Sequence, residues 1–152
     1  VVQRDGIYAI HITPEAGTVK TYLERTVPIH EHLIEQGFVT FADQLKREPL
    51  FYRPRKNETP NSDPIKQKKS PAAQARQRLA AWVGSLGMNL RGVRPNHGWR
   101  HTFKRIGRRV EIDNVTLDAI CGHAPRTEGD DYGDPSLEDM ALKLRKFPRY
   151  AV

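Results

Sequence analysis

Four prolines, at positions 49, 54, 60 and 64, punctuate the polar and basic stretch from Lys46 to Lys69, and no continuous helix or strand is expected to cross it. Beyond "LFY" this stretch has few large apolar residues, so it reads as a loop or tether. In front of it the chemistry is largely extended. "IYAIHIT" (7–13) alternates and is rich in strand formers, "PEAG" (14–17) is a turn, and "TVKTYLERTVPI" (18–29) resumes, so a β-hairpin is expected over 7–29. "HEHLIEQG" follows as a short helix ending at Gly37, and "FVTFADQLK" as a second. Behind the tether the pattern is helical. "SPAAQARQRLAAWVGSLG" starts at Ser70 with Pro71 in its first turn and carries an apolar stripe of Leu79, Val83 and Leu86. A further helix holds "GWRHTFKRIGRR", and "NVTLDAICG" has Asn114 as N-cap and Gly122 as stop. "SLEDMALKLRKF" places Leu137, Met140, Ala141 and Leu144 at helical spacing, with Pro135 and Ser136 as its entry. The expected fold is α+β, mainly α-helical with one small antiparallel sheet.

A chain of 152 residues, 38% apolar and 28% charged, is long enough for one domain with its own core, and 1–152 is read as one. No run approaches the roughly 18 apolar residues of a membrane span. "VVQRDG" has no basic region leading into an apolar one, so the start reads as cut from a longer protein rather than as a leader. Cys121 is the single cysteine, which leaves no internal disulfide and no cysteine-rich zinc site, and points to a reducing, cytoplasmic setting. The net charge of +7 favours a polyanionic partner.

The densest chemistry lies in "HGWRHTF" (97–103), where His97, Arg100 and His101 stand at spacings that a helix brings to one face. Metal catalysis is one reading, with His123 as a third ligand. It lacks the glutamate that zinc proteases carry directly after the first histidine, Gly98 standing there instead, and Arg100 would repel a dication. A plain core is the second reading, with Trp99 and Phe103 buried and the histidines flanking them. The third is phosphodiester chemistry. Arginine grips phosphate bidentately and stays charged, histidines donate hydrogen bonds or exchange protons, and a tyrosine hydroxyl can attack. "CGHAP" sets His123 just past a helix end, and Tyr132 follows in "TEGDDYGDP" without apolar neighbours, as an exposed residue would.

These steps run in order: His97, Arg100 three residues on, His123 twenty-three beyond it, and Tyr132 nine further. In that order and spacing "HGWRHTF…CGHAP…Y" resembles the catalytic domain of the tyrosine recombinases, the phage integrase family. The tail "YGDPSLEDMALKLRKFP" resembles the helix that follows the nucleophile in that family. "KT" followed by "RTVPIH" resembles its β-hairpin and maps the family's catalytic lysine onto Lys20. The likeness covers most of the chain and is weakest over 46–69. The family's first arginine belongs to a Gly-Glu segment upstream of the hairpin. "VVQRDG" has no such motif, and Arg4 is not given the role. That arginine and an N-terminal DNA-binding domain are expected before Val1, and the stretch 1–152 alone is expected to be inactive.

The resemblance implies an integrase-like catalytic domain that cleaves and rejoins double-stranded DNA at specific sites for recombination or integration. Tyr132 is the implied nucleophile, forming a 3′-phosphotyrosine. Arg100, His97 and His123 serve the phosphate and its protons, and Lys20 protonates the leaving oxygen. Neither cofactor nor metal is implied. Implied partners are a tetramer of the recombinase on paired sites and accessory DNA-bending proteins, in a bacterial or phage, nucleoid-associated setting. Arg25 suits a DNA backbone contact or a solvated charge, and His101 suits a supporting role. The loop "APRTEGDDYGDPS" (124–136), with four acids and few anchors, is expected to hold Tyr132 out of attacking position until the following helix docks. Two other classes fit parts of the pattern: a type IB topoisomerase, and a DNA-binding module without catalysis.

Overall fold

A computed structural model describes residues 1–14, 24–45, 48–53, 70–87, 95–123 and 135–151, with residues 95–97 described in backbone only. The fold is mixed α+β, helical for the most part, with one three-stranded antiparallel sheet. Among the described residues no helix is long and apolar enough to cross a membrane.

The sheet has the order β1 (Val2–Arg4), β2 (Ile7–Ile12), β3 (Arg25–Pro28). The expected hairpin is present, but its register differs from a turn at 14–17. Ile12 pairs with Arg25 and Ala9 with Pro28, a register centred past residue 17, and residues 15–23 between the strands lie outside the described residues. Strand β1 is an addition. It pairs Arg4 with Ile7 across a two-residue turn in which Asp5 and Gly6 both have positive φ, 50° and 78°. That is the geometry an Asp-Gly pair favours in a tight hairpin.

Two short helices follow, α1 (Glu31–Glu35) and α2 (Phe38–Gln44), then α3 (Pro71–Ser85), α4 (Pro95–Arg109), α5 (Asn114–Cys121) and α6 (Leu137–Leu144). The Ser70 hydroxyl caps α3 by accepting from the Ala73 N–H, with Pro71 in its first turn as expected. The apolar stripe of α3 is corrected. Val83 is buried, whereas Leu79 is 45% and Leu86 53% exposed. The cap of α5 is also corrected. Asp113, not Asn114, accepts from the Thr116 N–H at 2.8 Å. A carboxylate there also complements the positive end of the helix dipole.

The chain divides into two units, 1–44 with 101–152, and 45–100. In the first, α6 packs across β3 and β2, and Met140 and Leu144 are buried with Ala9, Ile29, Leu117 and Ile112. Helices α4 and α5 meet at Gly107, where a Cβ would run into the Leu117 side chain unless that side chain shifted. Phe103 stacks on Phe147 with ring centroids 4.6 Å apart. Past α6 the chain is tied to α1 by Arg149, which donates to Glu35 at 2.6 Å and to Glu31 at 2.7 Å. The second unit holds α3 and the start of α4.

Lys143 of α6 donates to Asp113 at 2.6 Å and to Thr116 at 2.9 Å, pinning α6 to the start of α5. Burial opposes ionisation of Asp113. Hydrogen bonds from Lys143 and from the Thr116 backbone and hydroxyl outweigh it and hold the carboxyl at about 2. A depressed carboxyl stabilises the fold above its ordinary value of 3.8, and that stability is lost as the pH falls through about 2. Because the Asp113 side chain is 47% exposed, solvent screening limits the contribution to about 1 kcal/mol. Asp113→Asn, which keeps the cap oxygen, is expected to lose about that much at neutral pH. In urea titrations the gap to the parent should close between pH 3.8 and about 2.

Candidate functional site

The residues singled out in the sequence fall into three groups. Lys20 and Tyr132, with the loop around the latter, lie outside the described residues, as does the His97 side chain. Arg100 and His101 are exposed on α4. Trp99, the expected core partner of Phe103, is 50% exposed, which removes the plain-core reading for this turn of the helix. His123 is part-buried at the end of α5, and around it the first unit assembles a site.

The local chain accounts for the position of His123. Gly122 adopts the left-handed conformation, φ 66° and ψ 45°, and closes α5. Its N–H donates to the Ala119 carbonyl at 3.1 Å, and the His123 N–H donates to the Asp118 carbonyl at 2.9 Å. This is the paired closure that glycine favours at a helix end, and it folds the residue after the glycine back over the last turn. The position opposite often makes an apolar contact in such a closure. Here it holds a polar pair: His123 Nδ1 lies 2.7 Å from Asp118 Oδ1.

Lys104 reaches the same oxygen from α4. Its Nζ donates to Asp118 Oδ1 and lies 3.4 Å from His123 Nδ1. The Lys104 side chain is 9% exposed and that of Asp118 15%. Burial opposes the charge on Asp118, but hydrogen bonds from Lys104 and His123 outweigh it and keep its carboxyl below the ordinary range. Lys104 and Asp118 were not among the candidates from sequence. The signal was present in "DAICGH", where the closure of a helix at Gly122 brings the first and last of six residues together.

Arg25 completes the arrangement from β3. Its guanidinium lies against Gly122, so closely that a Cβ at this position would collide with Nε, Cζ and Nη1. The Arg25 Nε is buried and has no hydrogen-bond partner among the described residues. "RTVP" and "CGH", far apart in the chain, thus share one contact, and β3 delivers a fixed positive charge beside the residue that precedes His123. Among the described residues no group of three or more His, Cys, Asp or Glu side chains converges as a metal cage would require. What the site offers is a histidine with an acid at Nδ1, a buried lysine behind that acid, and an arginine alongside. This combination suits hydrogen bonding and proton exchange with an anionic group.

Compared with protein-family models, with curated proteins and with solved structures, the chain matches none.

Gly122 therefore answers two demands, its backbone conformation and the close guanidinium. Gly122→Ala is expected to cost about 2 kcal/mol or more in chemical denaturation. In an Arg25→Ala background about 1 kcal/mol should remain, the part due to backbone alone, and a double-mutant cycle measures the difference.

Proposed function

We propose that this chain is the catalytic part of a tyrosine site-specific recombinase, with an integrase-like fold, acting on double-stranded DNA. The observation that carries the reading is the packing of Arg25, from "RTVP", on Gly122, from "CGH". Two stretches that resemble the same family, one in a strand and one at a helix end, meet at the proposed phosphate site. The order His97, Arg100, His123, Tyr132 supplies the rest.

In this mechanism the Tyr132 phenolic oxygen attacks the phosphorus of a phosphodiester. The new O–P bond forms as the bond from phosphorus to the 5′-oxygen breaks, leaving a 3′-phosphotyrosine and a free 5′-hydroxyl. Lys20 supplies the proton to the leaving oxygen. Arg100 binds the non-bridging oxygens, where developing negative charge makes a fixed guanidinium most effective. His97 hydrogen-bonds the phosphate, and His123 takes up the proton that the Tyr132 hydroxyl loses as it attacks. A second 5′-hydroxyl then attacks the phosphotyrosine and reseals the strand, the energy of the bond having been kept. Partner exchange of this kind requires paired sites, and hence several copies of the protein on DNA.

A suicide duplex that traps the covalent intermediate tests the reading on the natural full-length protein. After digestion, mass spectrometry is expected to find the DNA adduct on Tyr132, with Tyr132→Phe giving none and chelators having no effect. An adduct on Tyr150 or Tyr52, or strand cleavage that persists in Tyr132→Phe, removes the assignment. Relaxation of a single supercoiled duplex without exchange between sites would favour the topoisomerase class instead. The 152-residue chain itself, with its charge of +7, is expected to bind duplex DNA through phosphates. Its affinity, followed by fluorescence anisotropy, should fall about a hundredfold or more between about 50 and about 200 mM salt.

A further inference from the structure

The proposed mechanism needs His123 to present a defined nitrogen to the reacting groups, and the side chains behind it decide which. We infer that Asp118, held by Lys104, is a positioning residue that fixes the proton of His123 on Nδ1 and so leaves Nε2 as the nitrogen that faces the reaction.

The geometry gives the direction of each hydrogen. Asp118 Oδ1 and His123 Nδ1 are 2.7 Å apart, and two lone pairs do not approach so closely without a proton between them. Asp118 is a carboxylate, since its partners keep its carboxyl below the ordinary range, so the proton belongs to the ring. Lys104 donates to the same Oδ1, and its Nζ lies 3.4 Å from Nδ1, a much longer contact than the 2.7 Å between Nδ1 and Asp118. With the proton on Nδ1, the neutral ring carries its lone pair on Nε2. A free neutral imidazole prefers the opposite arrangement. The acid therefore selects the less favoured tautomer and aims it, as an orienting group behind a reactive histidine does in other sites.

A purely structural role accounts poorly for these groups. A buried ion pair is weak evidence of stability, because apolar residues of similar size often serve as well or better. The turn that ends α5 commonly places an apolar residue where His123 stands. Here an acid, a lysine and a histidine share one oxygen at that turn, with Lys104 buried to 7% exposure at residue level. The lysine neutralises the carboxylate and holds it where it orients the ring.

The inference about the tautomer concerns this chain alone, and its meaning for DNA cleavage rests on the recombinase reading. The test separates the two. Long-range proton–nitrogen correlation spectra of the 15N-labelled 152-residue chain, recorded at alkaline pH, report which nitrogen of His123 carries the proton. The parent chain is expected to show Nδ1–H. Asp118→Asn, whose amide can donate as well as accept, should shift the population toward Nε2–H, and Asp118→Glu should restore Nδ1–H at least in part. In the natural full-length protein, Asp118→Asn should slow formation of the Tyr132 adduct on the order of 100-fold at unchanged DNA affinity. Nε2–H in the parent chain overturns the inference, and this measurement needs no variant to fold. So does an Asp118→Asn protein that retains Nδ1–H, or that cleaves at the parent rate. A parent protein that shows Nδ1–H yet forms no adduct with DNA sinks the recombinase reading and leaves the tautomer assignment standing.

Discussion

An eight-residue helix does not hold its shape in water by itself, and the site depends on α5 holding its shape. Both of its ends are fastened by side chains from elsewhere in the fold. At the start, Asp113 caps the helix and is itself gripped by Lys143 of α6. At the end, Gly122 turns the chain under the guanidinium of Arg25 from β3. Between them, Leu117 and Thr116 are fully buried, with Leu117 against Gly107 of α4. Helix α5 thus joins the sheet to α4 and α6, and His123 takes its place from the last of those contacts.

The same distribution of charge organises the rest of the first unit. Acidic side chains are engaged in the fold: Glu31 and Glu35 with Arg149, Asp113 with Lys143, and Asp118 with Lys104 and His123. Arg105, Arg108 and Arg109 remain exposed on α4, with Arg108 also donating to Asn114. With these acids paired to cations, the exposed arginines of α4 leave positive potential where a polyanion would approach. The proposed recombinase chemistry uses that field for binding and reserves the partly buried groups around His123 for proton control.

Much of the helical architecture was legible in the chain because helices write themselves locally. Ser70 with Pro71, Gly37, Gly122 and Ser136 with Pro135 mark ends through backbone preferences that act over a few residues. The register of the hairpin was not, since an antiparallel ladder is set by both strands together and "PEAG" speaks only for its own four residues. Strand β1 was missed although "DG" stood in plain view, because three residues form a strand only when a neighbour supplies the ladder. The stripe on α3 failed for a related reason. Spacing states which residues share a face, but not whether anything covers that face.

By itself, then, the sequence determined the α+β class, the helix boundaries near strong caps, the excess positive charge, and the spaced residues His97, Arg100, His123 and Tyr132. Each of these is a property of composition or of neighbours along the chain. Only the tertiary structure decided that Lys104 of α4 and Asp118 of α5 stand behind His123, and that Arg25 of β3 lies on Gly122. Those contacts join segments that no periodicity links. They form because the apolar faces of α4, α5, α6 and the sheet must be buried together, and the charged side chains at the edges of those faces are left to find one another.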